Sequence, residues 1–343
     1  MAGKNLLFMA ALAVLTACAG DAISPDRTMG GGTPESTSEP TLGPTDAPPV
    51  PVTGNPIVGA SFWVDPASNA KATADAWRDA RPDDAAQMDK IASNSQAQWF
   101  DGSSIDILSA VDNAVSTITG AGAVPVLVAY NIPHRDCGGF SAGGTTVGGY
   151  MAWIAAFANG LAGRKSVVIL EPDALTDMDC LSAADQTTRV NLIQYAVQLL
   201  RAKGGVVYLD GGNSSWRSPS DQAARLKRAN VAAADGFFLN VSNFQYTSSS
   251  VSYGKKIADL VGGKHFIIDT SRNGLGPTAN NAWCNPAGRA LGPVASTFTA
   301  DPLVDAYLWI KGPGESDGSC GGAPDAGLWW ADYALGLAQR STI

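Results

Sequence analysis

Two stretches of this chain end apolar runs in carboxylates. Val126 to Tyr130 leads through Asn131-Ile132-Pro133-His134-Arg135 to Asp136, and Val167 to Leu170 leads into Glu171-Pro172-Asp173. A third carboxylate, Asp317, stands in Gly314-Glu315-Ser316-Asp317-Gly318. The C-terminal tips of buried parallel strands are where α/β barrels keep their reactive groups. Two separated carboxyl groups, one giving a proton to the leaving oxygen and one acting on water, are what cleavage of a glycosidic acetal requires. Asp173 is the candidate donor. The stiff Glu-Pro-Asp turn lifts its carboxyl, and a neighbouring Asp136 would raise its pKa by like-charge repulsion. An isolated Asp would more often cap a helix or turn; these stand in two extended motifs.

Apolar runs alternate with helix-like segments. Strands are expected near 57–64, 97–100, 124–130, 166–171, 205–210, 236–241, 264–269 and 304–310, and helices over 145–162, 182–203, 219–230 and 248–262. In 182–203, Val190, Ile193, Val197 and Leu200 share a face, with Ser182 as cap and Asp185 three residues on. Repeated βα order with buried strands predicts a parallel sheet curled into a barrel. Its strand ends would gather Tyr130, Asp136, Glu171, Asp173, Asp210, Asn240, Asp269, Lys311, Glu315 and Asp317 at one mouth. Sugars present flat C–H faces that stack on aromatic rings. Of the 9 tryptophans, Trp63, Trp99, Trp216 and Trp283 fall near that mouth.

The chain ends differ in composition from the rest. Lys4 precedes an apolar run, Leu6 to Leu15, too short to span a bilayer. It closes on Leu15-Thr16-Ala17-Cys18, which resembles a bacterial lipoprotein cleavage box. Residues 1–17 are therefore expected to be a signal segment, with Cys18 lipidated; an ordinary signal peptide with an incidental Cys is the alternative. Residues 18–54, rich in Pro, Thr, Ser and Gly, read as a disordered tether, and 55–343 as one large domain. A net charge of −8 makes nucleic acid a poor partner. Cys137, Cys180, Cys284 and Cys320 form an even set that suits disulfides in an exported domain, and spacing alone permits three pairings. With 2 His and no Cys-x-x-Cys, a metal site is not expected.

Tyr130-x-x-Pro133-x-Arg135-Asp136-Cys137 and Ile169-Leu170-Glu171-Pro172-Asp173-Ala174-Leu175 resemble the two signatures of the family 6 glycoside hydrolases. Leu209-Asp210, Ser215-Trp216, Asn240 to Asn243, Asp269 to Gly274, Trp283-Cys284 and Trp309 to Gly318 follow in that family's order, so the resemblance covers about 55–343. It implies a distorted parallel α/β barrel of seven or so strands, open on one side as a substrate cleft. It implies an inverting endo-β-1,4-glucanase needing no cofactor and acting on a β-glucan. Asp173 would be the acid, Asp136 its modulator, Asp317 the proposed base, and Tyr130 would crowd the reacting sugar. Activation of the water by Asp136 through a second water is the alternative to Asp317. Trp63, Trp99, Trp216 and Trp283 match sugar platforms. Asp210, Asn213, Asn240, Asn243, Lys311 and Glu315 match polar positions along the substrate. The implied disulfides are Cys137–Cys180 and Cys284–Cys320. Two positions depart from the family pattern: Ala142 replaces a frequent Ser near the attacking water, and Asn213 replaces a frequent His. A short Gly318–Gly327 segment after Asp317 points to an open groove and internal attack. A monomer is expected, exported and lipid-anchored. A surface lectin on the same barrel, or a hydrolase of another β-glucan or exopolysaccharide, are the competing functions.

Overall fold

A computed structural model describes residues 54–343. The expected signal segment, Cys18 and all of the expected tether but Gly54 lie outside the described residues. Seven strands form one parallel sheet in simple sequential order: β1 (Gln98–Phe100), β2 (Val126–Ala129), β3 (Ser166–Leu170), β4 (Gly205–Asp210), β5 (Gly236–Leu239), β6 (His265–Asp269) and β7 (Val304–Leu308). β1 and β7 share no ladder. The seam between them is crossed by the Ala97 N–H, which donates to the Trp309 carbonyl at 2.9 Å, and by the Trp99 indole, which donates to the Ile310 carbonyl at 2.8 Å. The sheet is thus a curled, incompletely closed barrel.

Side-chain alternation along the strands builds two cores from one set of apolar runs. Val126, Val128, Val167, Ile169, Val206, Tyr208, Ile267, Ala306 and Leu308 fill the inside of the curl. Leu127, Ala129, Val168, Leu170, Val207, Leu209, Phe266 and Ile268 face the helices. Burial on both faces is why these strands read as continuous apolar runs. The crossover helices are α4 (Val147–Leu161), α5 (Ala183–Ala202), α6 (Pro219–Arg228) and α7 (Thr247–Leu260), within a few residues of the expected ranges. Ser182 caps α5 as expected: its hydroxyl accepts from the Asp185 N–H at 3.2 Å.

The expected strand at 57–64 is not a strand. Residues around Ile57 form turns, fixed by the Asn55 side chain accepting from the Ile57 N–H, and only Phe62 makes an isolated bridge, to Val124. Ile57 is apolar because it plugs the inside of the barrel. Four helices fall outside the expected ranges: α1 (Asn69–Trp77), α2 (Pro82–Ala92), α3 (Ile107–Gly120) and α8 (Ala331–Gln339). α1 and α2 bury mainly alanine, which leaves a faint apolar stripe.

Both implied disulfides form, Cys137–Cys180 with Cα atoms 6.0 Å apart and Cys284–Cys320 with 6.4 Å, across sequence separations of 43 and 36 residues. Each pins a loop bearing one of the acids. Replacing Cys284 and Cys320 together by Ser should lower unfolding stability by about 3–4 kcal/mol in the chain-entropy account, read from urea unfolding. An unchanged midpoint would show that the Asp317 loop needs no brace.

Candidate active site

The strand tips are held by buried acids that accept main-chain N–H groups from neighbouring loops. Glu171, just past β3, accepts from Asn131 (2.9 Å) and Ile132 (3.1 Å) beyond β2. Asp210, ending β4, accepts from Leu175 (3.1 Å) and Thr176 (2.8 Å) beyond β3, and from Gly212 (2.9 Å). Asp269, ending β6, accepts from Ser242 (3.3 Å) beyond β5, Ser271 (2.9 Å), and Lys311 (3.0 Å) beyond β7. Arg189 of α5 adds donors to the carbonyls of Pro133 (2.7 Å), His134 (2.8 Å) and Ala174 (3.3 Å), tying the two acid loops together. These loops sit in tight backbone conformations. His134, Asp136, Cys137, Glu171, Asp173, Asn240 and Ser242 all have positive φ, which non-glycine residues adopt at a cost and chiefly at functional sites.

The loops surround a cleft of about 970 Å³ that contains Asp136, Asp173 and Asp317. Asp173 is half-buried there, and none of the influences on its titration is a hydrogen-bond donor. Burial, then the charges of Asp210, Asp136 and Asp177, push its pKa well up. Asp210 is raised by burial as well, but the three N–H donors favour its charged form. Of this close pair, Asp210 carries the charge and Asp173 keeps the proton.

Asp136 folds back on its own loop. Its Oδ2 accepts from the N–H (2.8 Å) and the hydroxyl (2.9 Å) of Ser141, whose Oγ lies 3.0 Å from the Tyr130 hydroxyl. A Cβ on Gly139 would stand 2.5 Å from that Oδ2, so a side chain there would displace the carboxylate. The Tyr130–Ser141–Asp136 relay was not anticipated from the sequence. Burial keeps the Tyr130 phenol protonated. Its ring meets Trp99 edge to face at 5.3 Å, and the Arg135 guanidinium covers it at 4.6 Å.

Asp317 forms a two-pronged ion pair with the fully buried Arg272, at 2.9 Å for each prong, and its Oδ2 also accepts from the Asn285 N–H at 3.0 Å. Both hydrogen bonds fall on Oδ2, while Oδ1 lies within ion-pair distance of Arg272 but accepts no hydrogen bond. Lys311 donates to the Ser316 carbonyl at 3.1 Å and lies 3.7 Å from Glu315; burial lowers its pKa and raises that of Glu315.

Of the expected sugar contacts, Trp99, Asn213, Trp216, Asn243, Trp283, Lys311 and Glu315 line the cleft, as do Ala142 and the unanticipated Arg135, Phe140 and Asp177. Trp216 and Trp283 are 39% and 50% exposed, large apolar surfaces left open to a ligand. Three positions do not take the expected role. Asp210 is a loop anchor, 1% exposed. Asn240, 0% exposed, holds the Gln245 N–H and the Gln245 and Asp269 carbonyls. Trp63 is half-buried and absent from the cleft lining. Among the described residues no group of three His, Cys, Asp or Glu side chains is placed to hold a metal.

Residues 57–341 match the family described as glycosyl hydrolases family 6. Endoglucanase A of Cellulomonas fimi is 43% identical over 287 residues, covering 82% of this chain, which spans 62% of that relative's length. Endoglucanase 1 of Streptomyces halstedii is 40% identical, with 80% of this chain and 87% of the relative covered. The structure of the endoglucanase Cel6 from Mycobacterium tuberculosis, in complex with methyl-cellobiosyl-4-deoxy-4-thio-β-D-cellobioside, superposes with a TM-score of 0.79 at 45% identity, covering 83% of this chain and 99% of that one.

The buried acids make stability depend on pH. Burial raises the Glu171 pKa from 4.5 to about 7 despite its two N–H donors. A carboxyl raised in the folded state stabilises most below its unfolded pKa, and that contribution is lost as pH rises through the folded value. Glu171→Gln should therefore lessen the fall in melting temperature between pH 4.5 and about 7. Parallel wild-type and variant curves across this window would show that Glu171 does not titrate there.

Proposed function

The chain belongs to glycosyl hydrolases family 6, and we propose that it is an inverting endo-β-1,4-glucanase acting on cellulose or a soluble β-glucan. The observation that carries the proposal is Asp173, a carboxyl held in its acid form at the floor of a cleft with exposed tryptophan walls. A neutral polysaccharide stacks on Trp216 and Trp283 and presents a glycosidic oxygen to Asp173. Proton transfer to that oxygen makes the departing sugar a neutral alcohol. Tyr130 presses on the reacting ring and favours its flattened, oxocarbenium-like form. Water attacks from the opposite face. Of the two candidate carboxylates, Asp136 is assigned to it, because Asp317 pairs with the buried Arg272 and also holds the Asn285 N–H, while among the described residues no cation pairs with Asp136. The 40–43% identity to proteins named endoglucanases supports the endo reading.

Asp173→Ala should reduce kcat on unactivated β-glucan by on the order of 10²–10⁴-fold with the melting temperature retained. Asp136→Asn should lose more turnover than Asp317→Asn, which should chiefly lose stability by stranding the Arg272 charge. Near-wild-type rates for Asp173→Ala would remove the acid assignment.

The segment after Asp317 is short, Gly318 to Gly327, and Cys320 ties it to Cys284. Carboxymethylcellulose viscosity should accordingly drop steeply while few reducing ends appear, and the first product seen by NMR should be the α-anomer. Cellobiose as nearly the sole early product would refute internal attack, and an initial β-anomer would refute inversion.

We further propose that the protein is exported and held at a membrane through a lipid on Cys18; two disulfides suit an oxidising compartment. Cys18→Ser in the full chain should move it from the membrane fraction to the soluble exported fraction. Equal membrane recovery of both forms would reject the anchor.

A further inference from the structure

The two ends of the barrel differ in charge and in apolar exposure. The cleft and its acids lie at the C-terminal ends of the strands. The opposite end is plugged by Ile57, which packs inside the curl with Val126, the first residue of β2, and Val206, the second of β4. Asn55 fastens the same turn to β7 by donating to the Asp305 carbonyl at 2.8 Å. The segment that carries Cys18 therefore joins the described domain, at Gly54, on the face opposite the cleft. Beside the plug, Val58 and Phe298 are 76% and 89% exposed. They flank one contact, in which the Gly59 N–H donates to the Thr297 hydroxyl at 3.2 Å. The Thr299 hydroxyl donates to the carbonyl of Val304, the first residue of β7, at 2.6 Å, which places this pair at the barrel base. Four exposed bases stand on the same face: Lys165 just before β3, Lys203 just before β4, and Lys227 and Arg228 in the last turn of α6. Among the described residues none of the four has an ion-pair partner. The acids that precede β5 and β7, Asp235 and Asp301, are already paired with Arg201 and Lys255. Exposed Asp259, in the last turn of α7, opposes the four. A chain of net charge −8 thus carries a surplus of positive charge on these base residues. Helix dipoles favour bases at helix C-termini, but they give no reason for a bare phenylalanine and valine on the same face.

We propose that this base face docks on an anionic membrane surface, with Phe298 and Val58 entering the headgroup region, so that the cleft opens away from the membrane. A face that is apolar in one part and basic in another matches such a bilayer: its headgroups attract Lys and Arg, and its boundary accepts aromatic rings. The inference goes beyond the glucanase reading. It depends neither on that reading nor on a lipid at Cys18, which would only bring the face to the surface. The net negative charge does not prevent the contact. Repulsion from acids at the far end is screened beyond about 8 Å at physiological salt, whereas the base meets the headgroups directly. Each Lys or Arg at the surface should favour the docked state roughly fivefold.

The test uses the full chain with Cys18→Ser and an N-terminal hexahistidine tag, held by that tag on vesicles containing a nickel-chelating lipid. Phe298→Cys then supplies the one free thiol, since the other four cysteines are paired, and it is labelled with the polarity-sensitive dye nitrobenzoxadiazole. Its emission should rise when the vesicles contain phosphatidylglycerol and stay unchanged on phosphatidylcholine alone. The same label at Ile105→Cys, in the exposed loop after β1 at the cleft end, should respond to neither. Lys165→Gln with Lys203→Gln should lower the docked-to-undocked ratio on phosphatidylglycerol by roughly twentyfold, and Lys227→Gln with Arg228→Gln should act in the same direction. A label at 298 indifferent to phosphatidylglycerol, equal responses at 298 and 105, or an undiminished response in both paired variants would each overturn the proposal. None of these outcomes bears on hydrolysis of β-glucan or on lipidation of Cys18, so those readings stand or fall separately.

Discussion

The site depends on one repeated interaction: a buried carboxylate at a strand tip accepting main-chain N–H groups from adjoining loops. Glu171 holds the loop beyond β2, Asp210 the loop beyond β3, and Asp269 the loops beyond β5 and β7. Short parallel strands leave their last N–H groups without ladder partners, and irregular loops add more. In a water-poor mouth such groups must be satisfied or they destabilise the fold. Carboxylates satisfy several at once with charge-assisted bonds. The positive-φ residues at 134–137, 171–173 and 240–242 are tolerated because these bonds over-determine the loops.

The same interaction sets the reactivity of the exception. Asp173 occupies a similar strand-tip environment but has no donors, so burial and three neighbouring charges act on it unopposed. Scaffold and chemistry are separated by hydrogen bonding rather than by residue type. Asp210 is charged because it is donated to, and Asp173 is protonated because it is not. Asp136 lies between these cases, with one oxygen engaged by Ser141 and linked through it to Tyr130. Around this floor the walls are aromatic and braced, which suits a ligand with flat apolar faces and polar edges.

Much of this was legible in the sequence for a physical reason. Strands buried on both faces give unbroken apolar runs, so β2 to β7 were visible and their tips located Asp136 and Asp173. The four cysteines pair as the family resemblance implied. Other features left weaker marks. Asp210 and Asn240 were expected at the substrate because a polar residue at a strand tip looks the same whether it faces cleft or loop. Only the three-dimensional direction of the N–H groups separates the two. Ile57 was read into a strand because an apolar plug and an apolar strand share a composition. Helices α1 and α2 pack through alanine, which carries little periodic signal. Ser141 lies four residues past the Tyr130–Cys137 motif, and its role depends on a tight turn at 136–138 that sequence spacing does not reveal.

The central claim is that Asp173, and not its partner Asp210, keeps the proton. It is tested most directly by ¹³C NMR of protein labelled at the aspartate carboxyl carbon, titrated with pH, with Asp173→Asn and Asp210→Asn assigning the two resonances. The account predicts that the Asp173 resonance stays in its acid form well above the usual carboxylate range, while Asp210 ionises first. An Asp173 carboxyl that ionises in the ordinary range, or an Asp210 that retains its proton after Asp173 has lost its own, would contradict it.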